Sequence, residues 1–217
     1  MGRSLVRRVR ARQDGGDDLC PWASGTRRFY TSRMRKFHLR TATAEDVQGI
    51  LELIDASVRG LQARDYSPAQ IDAALATVFT VDSRLIADGT YFVAFDERGN
   101  LAGCGGWSFR KTLYGGDHQV ERIEPEKLDP EVDAAKIRAI FVHPRFARQG
   151  LGSLILDAAE RAAVAMGFRR FEMGSTLTGV ALYRLQGYRE IGRIAVPVGD
   201  GERILVVRMV KEAVSPH

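Results

Sequence analysis

The spacing of hydrophobic residues changes repeatedly along the chain, and each change marks an element. Phe37-His-Leu-Arg-Thr41 alternates apolar and polar positions, the period of a half-buried strand. Val47, Ile50, Leu51, Ile54, Val58 and Leu61 then recur three or four residues apart, on one face of an amphipathic helix that Thr43 and Asp46 precede as an N-cap pair. Ser67-Pro68 is a cap followed by proline at the first helical position, and opens a second helix carrying Ile71, Leu75 and Val78. Tyr91–Phe95, a turn at Asp96–Asn100, and Leu101–Thr112 predict an antiparallel hairpin. Its second strand holds Gly103, Gly105 and Gly106, a sign of a bulge or of close approach by another group.

Ile137–Val142 is nearly continuous in apolar residues, as in an interior strand buried on both faces, and stops at Pro144. Leu151, Leu154, Ile155, Ala158, Ala159 and Ala162 form the next helix, closed by Gly167. Phe168–Met173 is a strand and Thr178–Gln186 a short helix ended by Gly187. Tyr188–Val196 and Glu202–Val210 pair across Gly199-Asp200-Gly201 as a last hairpin. The order β-α-α-β-β-β-α-β-α-β-β predicts a mixed α/β fold: a central mixed, mostly antiparallel sheet flanked by helices. Residues 113–133, with two Gly, two Pro and seven Asp or Glu, make the longest loop.

Composition narrows the function classes. The 217 residues carry 32 Lys and Arg against 27 Asp and Glu, a formal charge of +5. Eight arginines and three aspartates in residues 1–33 account for all of that excess, so residues 34–217 are neutral. A neutral body argues against nucleic acid, whose phosphates need clustered Lys and Arg. The basic segment 1–33 reads as an unstructured leader, with a single domain from Met34 onward. No apolar run approaches the ~18 residues of a membrane span. The two cysteines, Cys20 and Cys104, offer neither a disulfide framework nor metal-ligand spacing, so no metal is expected and a reducing cytoplasm fits.

The chemistry concentrates in Ile140-Phe-Val-His-Pro-Arg-Phe-Ala-Arg-Gln-Gly-Leu-Gly-Ser-Leu-Ile155. A buried strand ends, a short basic loop follows, and Gly150 and Gly152 open a helix. Glycines there let backbone N–H groups crowd around a phosphate, and the helix N-terminus adds partial positive charge. Arg145 and Arg148 supply charge-assisted bonds or stand as a solvated basic loop. The physics predicts a bound diphosphate. A Walker loop needs Gly-Lys-Ser/Thr, and the lysine is missing before Ser153. A dinucleotide turn needs a third glycine where Ile155 stands, although Glu172 lies where a ribose-binding acid belongs.

The remaining class is acyl-CoA. Val142-His-Pro-x-x-x-Arg-x-Gly-x-Gly resembles the coenzyme A motif of the GNAT N-acetyltransferase superfamily, and Leu182-Tyr183-x-x-x-Gly-Tyr188, about 30 residues on, resembles its second signature. Ala147 departs from the family's usual Arg or Gln, and Thr176 from its frequent Asn. The resemblance spans roughly residues 37–211 and implies an acetyl-CoA-dependent N-acetyltransferase. By it, Ile140, Phe141 and Val142 hold the pantetheine arm as an extra strand would, and backbone N–H groups of Arg148, Gln149, Gly150, Leu151, Gly152 and Ser153 hold the pyrophosphate. Tyr183 protonates the departing thiolate, after direct attack by a small-molecule or peptide amine. A non-catalytic acyl-CoA-binding module on the same fold is the rival reading.

Other residues carry weaker expectations. His118, Asp133 and Glu172 are candidates for the general base, and no spacing argument chooses among them. The segment Arg59–Tyr66 and the loop after Trp107 wall the acceptor site by the same resemblance, with Trp107 and Ser108 equally suited to packing. Acidic residues of the long loop (Asp117, Glu121, Glu124, Glu126, Asp129) suit a cationic amine or plain solvation. Cys104 reads as a small buried hydrophobe, and His143 as a strand-end residue. Ile204–Val210 fits either an ordinary strand or one that pairs across a two-fold axis in a homodimer.

Overall fold

A computed structural model describes residues 36–111 and 126–213. Seven strands form one sheet: β1 (Phe37–Thr41), β2 (Tyr91–Asp96), β3 (Leu101–Ser108), β4 (Ala135–Val142), β5 (Arg170–Thr176), β6 (Arg189–Gly199) and β7 (Glu202–Glu212). Their spatial order is β1-β2-β3-β4-β5-β7-β6. Every neighbouring pair is antiparallel except β4 and β5. The expected mixed, mostly antiparallel sheet is the observed one. The helices are α1 (Val47–Leu61), α2 (Pro68–Thr77), α3 (Ser83–Ala87), α4 (Leu151–Ala165) and α5 (Val180–Leu185).

Strand alternation divides the core between the two faces of the sheet. Phe92 and Ala94 of β2 pack with α4, through Leu151, Ile155 and Ala159. Their neighbours Tyr91 and Val93 pack with α1 and α2, through Ile50, Ile54 and Ile71. Local chemistry starts the elements where the sequence places them. Ser67 Oγ accepts from the Gln70 N–H at 3.2 Å while Gln70 Oε1 accepts from the Ser67 N–H at 3.0 Å, so α2 begins with a reciprocal cap.

Three features depart from the expected pattern. α3 is an additional five-residue helix, capped by Asp82, whose Oδ1 accepts from the Arg84 N–H at 3.2 Å. The apolar strand β4 contains Arg138, 4% exposed, whose Nη2 donates to Asp82 Oδ2 at 2.9 Å. The glycine strand is irregular on both sides: against β2, Ala94 and Phe95 face Gly103 and Leu101, so β3 bulges at Ala102, and against β4, Cys104 and Gly106 face Phe141 and Arg138, so β4 has one residue too many and Ala139 takes φ 51°. The glycines of β3 also allow close approach. A Cβ on Gly105 would lie 2.7 Å from Ile140 Cγ1, and one on Gly103 would lie 2.9 Å from Ile155 Cδ1.

β7 lies between β5 and β6 and is hydrogen-bonded on both sides. Ile204–Val210 is therefore an interior strand with no edge to offer across a two-fold axis, and β6 is the strand at that end of the sheet. Most of the long loop, including His118, Asp117, Glu121 and Glu124, lies outside the described residues, as does the basic segment 1–33. Among the described residues no helix is long and apolar enough to cross a membrane.

Candidate active site

The parallel pair is short. β4 and β5 match only at Ala135 with Phe171 and Lys136 with Glu172. Beyond that the strands separate, and the bulge at Ala139 turns β4 further from its neighbour. The gap is a cleft lined by Ile137–Phe141 of β4, Met173–Thr176 of β5, Gln62, Val78–Thr80 and Tyr183. Two of the expected pantetheine residues, Ile140 and Phe141, are on its wall. Val142 is half-buried one position further along β4.

At the end of β4 the chain makes one 3₁₀ turn, Pro144–Phe146, before α4. His143 Nδ1 accepts from the Arg145 N–H at 3.2 Å, so this histidine caps the turn. Arg148 has φ 59° and Gly150 φ 81°, which reverses the backbone and leaves the N-terminal amides of α4 at the loop. Arg148, Gln149 and Gly150 are exposed, and Leu151 is buried beneath them. Gln149 Nε2 donates to Arg145 O at 3.2 Å and closes the loop. Gly152 allows α4 to approach α5: a Cβ there would meet Leu182 Cδ2 at 2.9 Å. Gln186 Nε2 donates to Ser153 Oγ at 3.1 Å and ties the two helices together. The two sequence motifs thus pack against each other, with the helix start at one end and Tyr183 at the cleft.

The tyrosines of the second motif end in different surroundings. Tyr188 donates to Glu160 Oε1 at 2.9 Å, and burial together with that carboxylate pushes its phenol well up. Tyr183 packs edge-on against Tyr188 at 5.9 Å and lines the cleft. Burial alone raises its phenol above the ordinary value near 10, so it keeps its proton throughout the neutral range.

The base candidates fare differently. Burial opposes ionisation of Glu172, but Lys136 at 2.7 Å and Arg208 outweigh it and hold the carboxyl below its ordinary value. A carboxylate clamped between two cations is a poor proton acceptor. Asp133 Oδ2 accepts from the Asp129 N–H at 2.8 Å and serves a turn. Trp107 is 1% exposed and packs edge-on against Phe109 and Phe168, and Ser108 Oγ accepts from the Arg110 N–H at 3.0 Å. Both are packing residues. Glu126 pairs with Lys111 at 2.6 Å, and Asp129 Oδ1 accepts from the Glu131 N–H at 2.9 Å. Burial pushes the Cys104 thiol up to about 12, so it stays protonated. Among the described residues no group of three His, Cys, Asp or Glu converges as a metal site would require.

Of the α1–α2 connection, Gln62 lines the cleft. Tyr66 donates to Leu205 O at 2.7 Å and accepts from the Leu177 N–H at 2.9 Å, and Thr178 hydrogen-bonds Asp65. These bonds fix Gln62 over the gap. The periodicity of α1 ends at Leu61, so nothing local to the sequence singles out Gln62.

The Acetyltransferase (GNAT) family model matches residues 56–188, from within α1 to the end of the second motif. No curated protein sequence matches the chain significantly. Among solved structures, the GCN5-related N-acetyltransferase from Rhodopseudomonas palustris is 21% identical, covering 80% of this chain and 94% of that one, with a TM-score of 0.58. A GNAT superfamily phosphinothricin acetyltransferase from Sinorhizobium meliloti, in complex with AcCoA, is 22% identical over 83% of this chain and 89% of that one, with a TM-score of 0.55. The PaiA N-acetyltransferase from Thermoplasma acidophilum, in complex with coenzyme A, is 13% identical over 81% and 98%, with a TM-score of 0.51. At these identities the likeness is one of fold. The family match extends over more than half of the chain and takes in the helix-start loop, the splayed strands and the cleft tyrosine, so this chain belongs to the acetyltransferase (GNAT) family.

Proposed function

We propose that the protein transfers an acetyl group from acetyl-CoA to a primary amine by direct attack. The observation that carries this reading is the separation of β4 from β5 after a two-residue match, which leaves a strand edge open beside Tyr183. The pantetheine arm would lie along Ile140, Phe141 and Val142 like a missing strand, with backbone N–H groups of Arg148–Ser153 on the pyrophosphate. The Sinorhizobium enzyme, with its bound AcCoA, supports the choice of cosubstrate.

The amine's lone pair attacks the thioester carbonyl, a C–N bond forms and the C–S bond breaks. The nitrogen gives one proton to water, and Tyr183 gives its own to the departing sulfur before being reprotonated from solvent. The raised phenol makes Tyr183 a weaker acid than a free tyrosine. The same apolar surroundings raise the thiolate's proton affinity, so the two remain matched. No clamped carboxylate is needed, because water at the cleft mouth takes the amine's proton.

Tyr183→Phe tests the reading. Thiol release from acetyl-CoA with a panel of amines, amino acids and peptides should fall about 100-fold, the lower end of general-acid effects. Acetyl-CoA affinity, measured by calorimetry, should stay unchanged. Full turnover by the variant from pH 6 to 9 would remove Tyr183 as the acid.

A further inference from the structure

Gln62 follows the last turn of α1, its N–H donating to Val58 O at 3.0 Å and its carbonyl accepting from the N–H groups of Asp65 at 2.9 Å and Tyr66 at 3.1 Å. Its backbone is fully used. Its side chain is not: Gln62 is 6% exposed and lines the cleft, and its Oε1 is buried with no hydrogen-bond partner among the described residues. A buried amide oxygen without a donor is costly and rare in folded proteins. The connection that carries it is held rigidly by Tyr66, so the side chain is not poised to swing out to water.

The rest of the lining says what donor would suit it. Phe79 and Met173 present apolar surface beside Ile140 and Phe141, which the pantetheine arm would cover, and Thr80, Ser175 and Thr176 bring hydroxyls. Arg138 is the charged group of the lining, and Asp82 neutralises it at 2.9 Å. Among the described residues no Asp or Glu lines the cleft to hold a second cation. A ligand placed here therefore needs one N–H for Oε1 and an uncharged flank. A neutral amine fits: one N–H points at Gln62 while the lone pair stays free, and desolvation in the cleft favours the uncharged form that attacks.

We propose that Gln62 binds and orients the acceptor amine through Oε1, and that the cleft takes a primary amine on an uncharged stem rather than a polyamine. This rests on the acetyl-transfer reading. A hydrogen bond made to the amine before and during attack is uniform binding, so its loss raises KM and leaves kcat nearly unchanged. Replacing Gln62 by leucine also removes the buried orphan, so the fold should not suffer.

The test uses the full chain, acetyl-CoA, and 2-phenylethylamine, spermidine and L-glutamate as acceptors, with thiol release as the readout. Wild type should prefer 2-phenylethylamine. Gln62→Leu should raise its KM about tenfold, the ratio one hydrogen bond is worth, without lowering the melting temperature or the affinity for acetyl-CoA. Gln62→Glu, which keeps an acceptor oxygen and adds charge, should restore amine binding and move the preference toward spermidine. Unchanged KM in Gln62→Leu, a wild-type preference for spermidine or glutamate, or a fall in melting temperature that accounts for lost activity would each overturn the proposal while the acetyl-transfer reading stands. A wild-type protein that binds acetyl-CoA but releases no thiol with any amine would overturn that reading, and this one with it.

Discussion

Tyr183 and Tyr188 stand five positions apart in one motif and pack edge-on, yet their hydroxyls meet different environments. Tyr188 spends its proton on Glu160, which Lys211 also binds at 2.6 Å, whereas Tyr183 lines the cleft. The motif names both residues, and only the partner of each hydroxyl separates the structural Tyr188 from Tyr183, the proposed acid. Glu172 makes the same point for carboxylates. In the sequence it is a candidate base or ribose ligand, and in the fold it joins β4 to β7 through Lys136 and Arg208. Its folded-state carboxyl lies below the ordinary value of 4.5, so it contributes stability that is present above that pH and is lost as the pH falls through the depressed value. Wild type should be more stable than Glu172→Gln at neutral pH, and the difference should vanish in strong acid. Urea denaturation at the two conditions checks the sign, and thiol release by Glu172→Gln checks that no base has been removed.

β4 shows how an element can be legible in outline and opaque in detail. Its apolar run announces an interior strand, and the strand is there. Arg138 inside it is buried with a guanidinium that burial penalises and Asp82 partly compensates. The partner comes from the cap of α3, a helix of five residues with one buried side chain, too short for a period to be read. Asp82→Ala removes the ion-pair partner of the buried Arg138 and the cap of α3 together, and should cost about 3–5 kcal/mol of unfolding free energy. Thermal and urea denaturation would measure it, and a loss below about 1 kcal/mol, the range of exposed pairs, would contradict the account. The glycines of β3 predict a bulge or a close approach, and both are there: β3 bulges at Ala102 against β2, and Gly103 and Gly105 yield space to Ile155 and Ile140. The second bulge, on β4, has no such signal in the sequence and lies on the strand that bends away from β5.

At the scale of the molecule, five antiparallel pairings and one parallel pairing join seven strands in one open sheet; the parallel β4–β5 match is the shortest of them, and the cleft lies where it ends. The formal charge of +5 belongs to residues 1–33, so a chain beginning at Met34 is expected to melt at the same temperature and bind acetyl-CoA with the same affinity, by calorimetry. Weaker binding by the shorter chain would give the basic segment a part in the site. The sequence by itself determined the strand and helix periods, the caps, the neutral body and the two motifs, because each is a local pattern written over a few neighbouring residues. The tertiary structure alone decided that β4 and β5 part, that Asp82 meets Arg138, that Trp107 is core, and that Gln62 faces the cleft with an unpaired oxygen. Those outcomes join residues from 30 to over 100 positions apart, and they depend on register, burial and the angle at which packed layers meet, none of which has a period along the chain.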